Sequence, residues 1–347
     1  MQPRAVWRTH LAVLLVYILL AVLLTWPTVT HPLTHLPGDG GDDPAIAWNL
    51  WWVKHALLTL QTNPLFSDAM FYPLGVNLAF YTLTVLNVLT AMPLTLALGV
   101  VGASNLHLWF SLVVGGYGAF LLARYLLSTS PRPDAGNDVA VWAAAIAGGF
   151  FVFASYQLFY VSLGQFNIAS SHWVPYAIIF VLKSGRDLSS LRWPVLAALF
   201  LVMQTWAEMT YASFLLVFIA LYIVYELLTN LQYLISNLKF AVRSLALLAV
   251  LFIIGISPLL VAMMPDMLAQ GDFWVQGSGF AEIFSADLAG FLVPTMRHPL
   301  LGGLVSGTGI ADFDKGQHIY LGLTLLILAV VGVLAGAPRP KSPTWFW

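Results

Sequence analysis

The 347-residue chain is 60% hydrophobic with 8% charged residues, 13 Trp and a mean hydropathy of +0.85, a composition that excludes an ordinary soluble domain. A net charge of −1 offers no basic field for nucleic acid, and the lack of cysteine removes disulfides, thiolate metal sites, Fe–S clusters, c-type haem attachment and cysteine nucleophiles. The expectation is an all-α polytopic membrane helix bundle forming a single membrane domain over 1–347.

A span needs roughly 20 apolar residues to cross the hydrocarbon. Eight segments are candidates in chain order: 11–28, 105–125, 139–158, 167–182, 193–208, 210–228, 244–263 and 317–336. The first follows Arg4 and Arg8 and lacks a small-residue cleavage site, so it reads as a retained span. With the N-terminus inside, 11 of the 14 basic residues fall on inner segments, and only Lys54, Arg297 and Lys315 fall outside. That asymmetry obeys the positive-inside rule and predicts a cytoplasmic N-terminus in a bacterial cytoplasmic membrane.

Between the first two spans lies a long outer loop, 29–104, and its opening His35-Leu-Pro-Gly-Asp-Gly-Gly-Asp-Asp-Pro44 holds Asp39, Asp42 and Asp43. Asp43-Pro44 has the pattern of an N-cap followed by Pro at the first helical position. Trp48, Trp51, Trp52 and His55 then recur at i, i+3, i+4 and i+7, the signature of an interfacial helix with its aromatic face at the headgroup boundary. Residues 78–101 are apolar enough to span, yet doing so would invert every later loop. They are therefore expected to form a re-entrant or interfacial helix on the outer side, broken at Pro93 and Gly99. A second outer loop, 264–316, is rich in Gly and Pro and reads as an irregular cap with one or two short helices.

The loop carboxylates carry the strongest chemical signal. Clustered acids can deprotonate a substrate hydroxyl or hold a divalent metal, provided they face one cavity. Against this stand the plain structural uses, a helix cap for Asp43 and a turn for Asp39 between Gly38 and Gly40. Asp42 lacks so simple a role. Glu208 interrupts the apolar stretch from Trp193 to Leu228, and an acid at membrane depth faces a bundle interior, an aqueous cavity or the interface. Arg297 and His298 are a candidate contact for a lipid phosphate, weighed against a loose surface pair. His107 and His172 are isolated histidines that suit packing better than haem or quinone ligation.

Asp42-Asp43, the following Ala45-Ile-Ala-Trp-Asn-Leu and the helix through His55 resemble the GT-C fold of membrane glycosyltransferases, which use polyprenyl-phosphate-linked sugars. Trp109 to Tyr125, ending in Leu-Leu-Ala-Arg-Tyr, is similar to that family's second span with its inner arginine, here Arg124. More narrowly, Phe71-Tyr-Pro-Leu-Gly-Val-Asn, Leu163-Gly-Gln-Phe-Asn, Ser285-Ala-Asp-Leu and Tyr320-Leu-Gly resemble uncharacterised bacterial membrane proteins labelled as 6-pyruvoyl-tetrahydropterin-synthase-related, a label that does not imply pterin chemistry.

The resemblance implies sugar transfer from a polyprenyl-phosphate donor at the outer face, with Asp42 as catalytic acid or base and Asp39 or Glu208 assisting. A carboxylate base calls for burial or a like charge beside it, and Asp39 and Asp43 are the neighbouring like charges. The chain departs from the pattern where Asp-Asp-Pro replaces an Asp-Glu pair. Its last residues, Pro343 to Trp347, read like the approach to another span, so the sequence is expected to be the N-terminal part of a longer family member or a shortened homologue. The rival expectation is a non-catalytic accessory subunit of a larger respiratory or photosynthetic membrane complex.

Overall fold

The computed structural model describes residues 3–128, 137–270, 285–286, 288–294, 300–307 and 319–335. The structure is 76% helical, and the strand content among the described residues is one short antiparallel pair, Phe66–Ser67 with Val76–Asn77. It divides into two compact units, one of residues 1–153 and 160–265 and the other of 154–159 and 266–347.

The first unit contains α1 (Pro3–Leu24), α2 (Asp43–His55), α3 (Val85–Ser128), α4 (Asn137–Val152), α6 (Val174–Arg186), α7 (Arg192–Ala207), α8 (Met209–Thr229), α9 (Leu231–Ser236) and most of α10 (Leu238–Gln270). A helix α5 (Ser155–Ser162) lies at the boundary between the units. Described parts of the second unit include a 3-10 turn, Leu288–Phe291, and the helices Gly302–Gly307 and Leu323–Ala335.

Among the described residues four helices are long and apolar enough to cross a membrane, within α1, α3, α8 and α10, and a fifth span results if α4 and α5 count as one. The other predicted spans are shorter. The 167–182 segment starts as a helix only at Val174, where Pro175 occupies the first turn, so α6 has 13 residues. Helix α7 has 16, and Leu323–Ala335 has 13. At 1.5 Å per residue these reach only about 20–24 Å, less than the roughly 30 Å hydrocarbon thickness.

Helix α3 is the hub, packing against α1, α2, α4, α6 and α7. Gly115, Gly116 and Gly118 make this possible, because small residues let backbones approach. A Cβ on Gly148 of α4 would overlap the Gly116 carbonyl and the Tyr17 hydroxyl. That hydroxyl donates to Ala145 O at 2.7 Å, joining α1 to α4.

The expected separate helix at 78–101 is instead the first limb of α3, entered through a 3-10 turn at Leu78–Phe80. As one straight rod, 44 residues would run about 66 Å, twice the hydrocarbon thickness. The break is at Gly99, with φ 77° and ψ 177°, outside the helical region and costly for any residue with a Cβ. Pro93 sits within the first limb without ending it. That limb buries Asn87, Val88, Ala91 and Thr95, a helical seam.

The tryptophan stripe of α2 is divided rather than presented to headgroups as a unit. Trp52 is buried and its Nε1 donates to Pro64 O at 2.9 Å, whereas Trp51 is exposed and stacks on His55 at 5.0 Å. The seam of α2 against the core runs instead through Ile46, Asn49, Leu50, Val53 and Ala56.

Candidate functional site

Four asparagines fix the long loop, Asn49 within the loop itself and the other three to the bundle. Asn105 Nδ2 donates to Pro32 O and His35 O at 2.8 and 2.9 Å, and Asn49 Nδ2 donates to Thr82 O at 2.7 Å. Asn77 Nδ2 reaches Ala262 O at 2.7 Å, and Asn87 Nδ2 reaches Ala207 O at 3.2 Å. Buried amides that satisfy loop carbonyls allow irregular backbone to sit against apolar helices.

Within this frame the three aspartates have different environments. Asp43 is 7% exposed, and its Oδ1 accepts from Gly40 N at 2.9 Å. It therefore ties the acid loop on itself, and the expected cap on α2 is absent, since α2 starts at Asp43 and Asp42 before it makes no side-chain cap bond. Asp39 is exposed and accepts from Gly41 N at 3.1 Å, an Asx turn as its glycine neighbours suggest. Asp42 is exposed and accepts from Gln165 Nε2 at 2.5 Å.

Gln165 is the residue that sequence reasoning missed as a site candidate. It lies in the Leu163-Gly-Gln-Phe-Asn turn before α6, is 5% exposed, and leaves Oε1 without a partner. The turn is seated by Gly164, at φ 66°, where a Cβ would overlap Pro37 O and approach Asp43 Cβ at 2.8 Å. The available signal was a polar side chain beside a glycine within an apolar stretch, in a string already singled out by its resemblance.

Glu208 lies elsewhere on the loop face. It occupies the extended joint between α7 and α8, with φ −160°, and is 8% exposed. Its Oε1 accepts from Thr210 Oγ1 at 2.9 Å and Thr210 N at 3.3 Å, so it caps α8. Glu208 also lines a cavity of about 440 Å³ together with Tyr81, Thr84, Thr205, Thr210, Ser213 and Trp206, over an apolar floor that includes Leu78, Leu259 and Met263. Thr84 Oγ1 in that wall is buried and unpartnered.

Asp42 and Glu208 are thus not a shared pair. Tyr81 lines the cavity, and its hydroxyl donates to Ala45 O, close to the acid loop, at 3.4 Å. Burial raises the Tyr81 pKa above its ordinary value, and the Asp42 charge adds to the rise. None of Asp39, Asp42 and Asp43 lines the cavity.

Beneath the turn lies a polar layer. Ser170 Oγ donates to Phe166 O at 2.5 Å and accepts from Asn87 Nδ2 at 2.9 Å, while Gln204 Nε2 donates to Ser170 O at 2.8 Å. His107 and His172 are packed here edge to face at 5.9 Å, which agrees with a structural role. Among the described residues, no group of three His, Asp or Glu side chains comes close enough to hold a metal ion, so the divalent-metal use of the aspartates gains no geometry. Arg297 and His298 lie outside the described residues.

Helices α6 and α7 form a hairpin with chemically opposite ends. Lys183, Arg186 and Arg192 sit at one end against Tyr125 and Trp193, while Gln165 and Glu208 belong to the other. Comparison of the chain with protein-family models, curated proteins and solved structures gives no match, so the reading of the site rests on its own geometry.

Proposed function

We propose that this membrane protein is a GT-C-like glycosyltransferase that moves a sugar from a polyprenyl-phosphate donor to an acceptor hydroxyl at the outer face of the bacterial cytoplasmic membrane. The observation that supports the reading is the cavity lined by Glu208 together with Thr84, Thr205, Thr210 and Ser213, and by Tyr81, which also feels the Asp42 charge. A carboxylate among hydroxyls on an apolar floor suits a sugar held at a lipid boundary.

In this reading Asp42 is the general base. It takes the proton of the acceptor hydroxyl, the acceptor oxygen bonds to the anomeric carbon, and the carbon–oxygen bond to the phosphate breaks to release polyprenyl phosphate. Gln165 fixes the Asp42 carboxylate, Glu208 orients sugar hydroxyls, and Asp39 shapes the acid loop. Purified protein incubated with a radiolabelled polyprenyl-phosphate sugar tests it. Asp42→Asn is expected to abolish transfer while leaving expression intact, and retained transfer by that variant would remove the mechanism.

A second reading, an accessory subunit of a larger membrane complex, is favoured by the loop that joins the two short strands Phe66–Ser67 and Val76–Asn77. Phe71, Tyr72 and Leu74 are 74%, 83% and 91% exposed there, a concentration of apolar surface that suits a protein partner. Mild extraction from native membranes, native gel separation and mass spectrometry decide between them. Migration as a monomer or dimer keeps the enzyme reading, and stoichiometric co-migration with other subunits favours the second.

A further inference from the structure

At the basic end of the α6–α7 hairpin, a second cavity of about 220 Å³ opens between α6, α8, α9 and α10. Its wall is largely Val181, Leu188, Ile219, Ile223, Leu245 and Leu248. Ser184 and Ser244 also line it, but their hydroxyls bond each other at 2.8 Å. Glu226 also lines it, and its carboxylate is engaged, accepting from Asn230 Nδ2 at 2.7 Å and bonding Tyr222. A cavity lined this way favours hydrocarbon over water. Its volume is below the roughly 300 Å³ at which pockets for drug-sized ligands begin, which suits a single chain.

The charges beside it define the rest of the ligand. Leu238, Ala241 and Val242 line the cavity, and on the same first turns of α10 Lys239 and Arg243 stand exposed, one helical turn apart on one face. Arg243 is held in place, since its Nη2 donates to Ser189 O at 2.9 Å, next to the cavity residue Leu188, and its guanidinium lies 5.1 Å over Phe240. The short helix α9 contributes Leu234 to the wall and leaves Leu231, Tyr233 and Ile235 exposed, as a helix lying in a lipid interface does.

We infer that this is a binding site for an anionic glycerophospholipid, with one acyl chain in the cavity and the phosphate on Lys239 and Arg243. An apolar slot with two exposed cations on the first turns of the helix that walls it is complementary to that ligand at both of its ends. The site is separate from the Glu208 cavity, and the inference does not rest on glycosyl transfer.

The test is native mass spectrometry of the full chain in detergent, titrated with phosphatidylglycerol, phosphatidylcholine of the same chains, or glycerol 3-phosphate. One retained phosphatidylglycerol is expected per chain, with a preference of about tenfold over phosphatidylcholine and no retention of glycerol 3-phosphate. The double variant Lys239→Gln/Arg243→Gln changes only exposed side chains and is expected to erase the preference with only a small shift in thermal unfolding from the lost Arg243–Ser189 bond. Ala241→Phe, which fills the slot, is expected to lose both lipids. Equal binding of the two lipids by the unmodified protein, a preference that survives the double variant, or equal retention of glycerol 3-phosphate overturns the inference.

Discussion

Gln165 donates its side-chain amide to the Asp42 carboxylate across 123 residues of sequence, and this bond joins the turn before α6 to the acid loop after α1. Asp42 is the exposed aspartate whose orientation is set by a buried side chain, whereas Asp39 and Asp43 accept from glycines of their own loop. If Asp42 is the base, Gln165 is a positioning residue. Gln165→Ala is expected to lower kcat about tenfold or more with little change in donor KM, as loss of a hydrogen bond to a charged group is worth about 1.5–3 kcal/mol. Gln165→Asn, too short to reach, should behave like Ala, and a change confined to KM would contradict the assignment.

Glu208 has two jobs that substitutions can separate. Glu208→Ala removes the α8 cap and should cost about 1 kcal/mol in detergent unfolding. Glu208→Gln keeps a side-chain oxygen for Thr210 and should fold nearly as well, yet lose sugar transfer because the carboxylate is gone from the cavity. If the Gln variant transfers at the original rate, Glu208 is a cap alone.

Gly99 and Gly164, both at positive φ, differ in their surroundings, which makes a paired test. A methyl group on Gly99 would have no neighbour within 4 Å, so Gly99→Ala should cost only the backbone strain, about 1–3 kcal/mol. Gly164→Ala should cost clearly more, because its methyl meets Pro37 O and Asp43 besides. Chemical unfolding of both variants in the same detergent measures the difference, and equal costs would mean that the 163–167 turn is not seated against the acid loop.

Asp187, in the α6–α7 turn, accepts from Ser189 Oγ at 2.7 Å and Trp193 Nε1 at 3.2 Å. The Ser189 bond is the main cause of a pKa below its ordinary 3.8, with burial opposing and Trp193, Ser190 and Arg192 adding to the fall. A depressed carboxylate stabilises the fold above its unfolded pKa, and that contribution fades as pH falls through the lower folded value. Asp187→Asn should therefore unfold more readily than the parent at pH 7, with the gap closing in acid below 3.8. A gap that stays constant into acid would place the effect in packing instead.

The membrane class was legible from composition, because few charges and long apolar runs leave the bilayer as the one solvent that suits such a chain. Helices α1, α8 and α10 were legible for the same reason, each being a long apolar run. The 167–182 segment was misread because hydropathy cannot distinguish an apolar turn from a helix, and the chain stays non-helical until Pro175 starts α6. Likewise, 78–101 was separated from its neighbour because Gly99 marks a break, but the sequence does not say whether the helix resumes at once.

For the candidate site, sequence alone singled out Asp39, Asp42, Asp43 and Glu208 in a chain with only 8% charged residues, since the cost of charge in apolar surroundings makes a clustered or embedded acid conspicuous. Only the tertiary structure decided what each one does. It buried Asp43 in its own loop, left Asp39 in a turn, set Gln165 on Asp42, and put Glu208 in a cavity that none of the others lines. The reason is physical: hydrogen-bond partners and cavity walls come from segments more than a hundred residues apart, and their meeting is fixed by helix packing around α3, which local residue patterns do not encode.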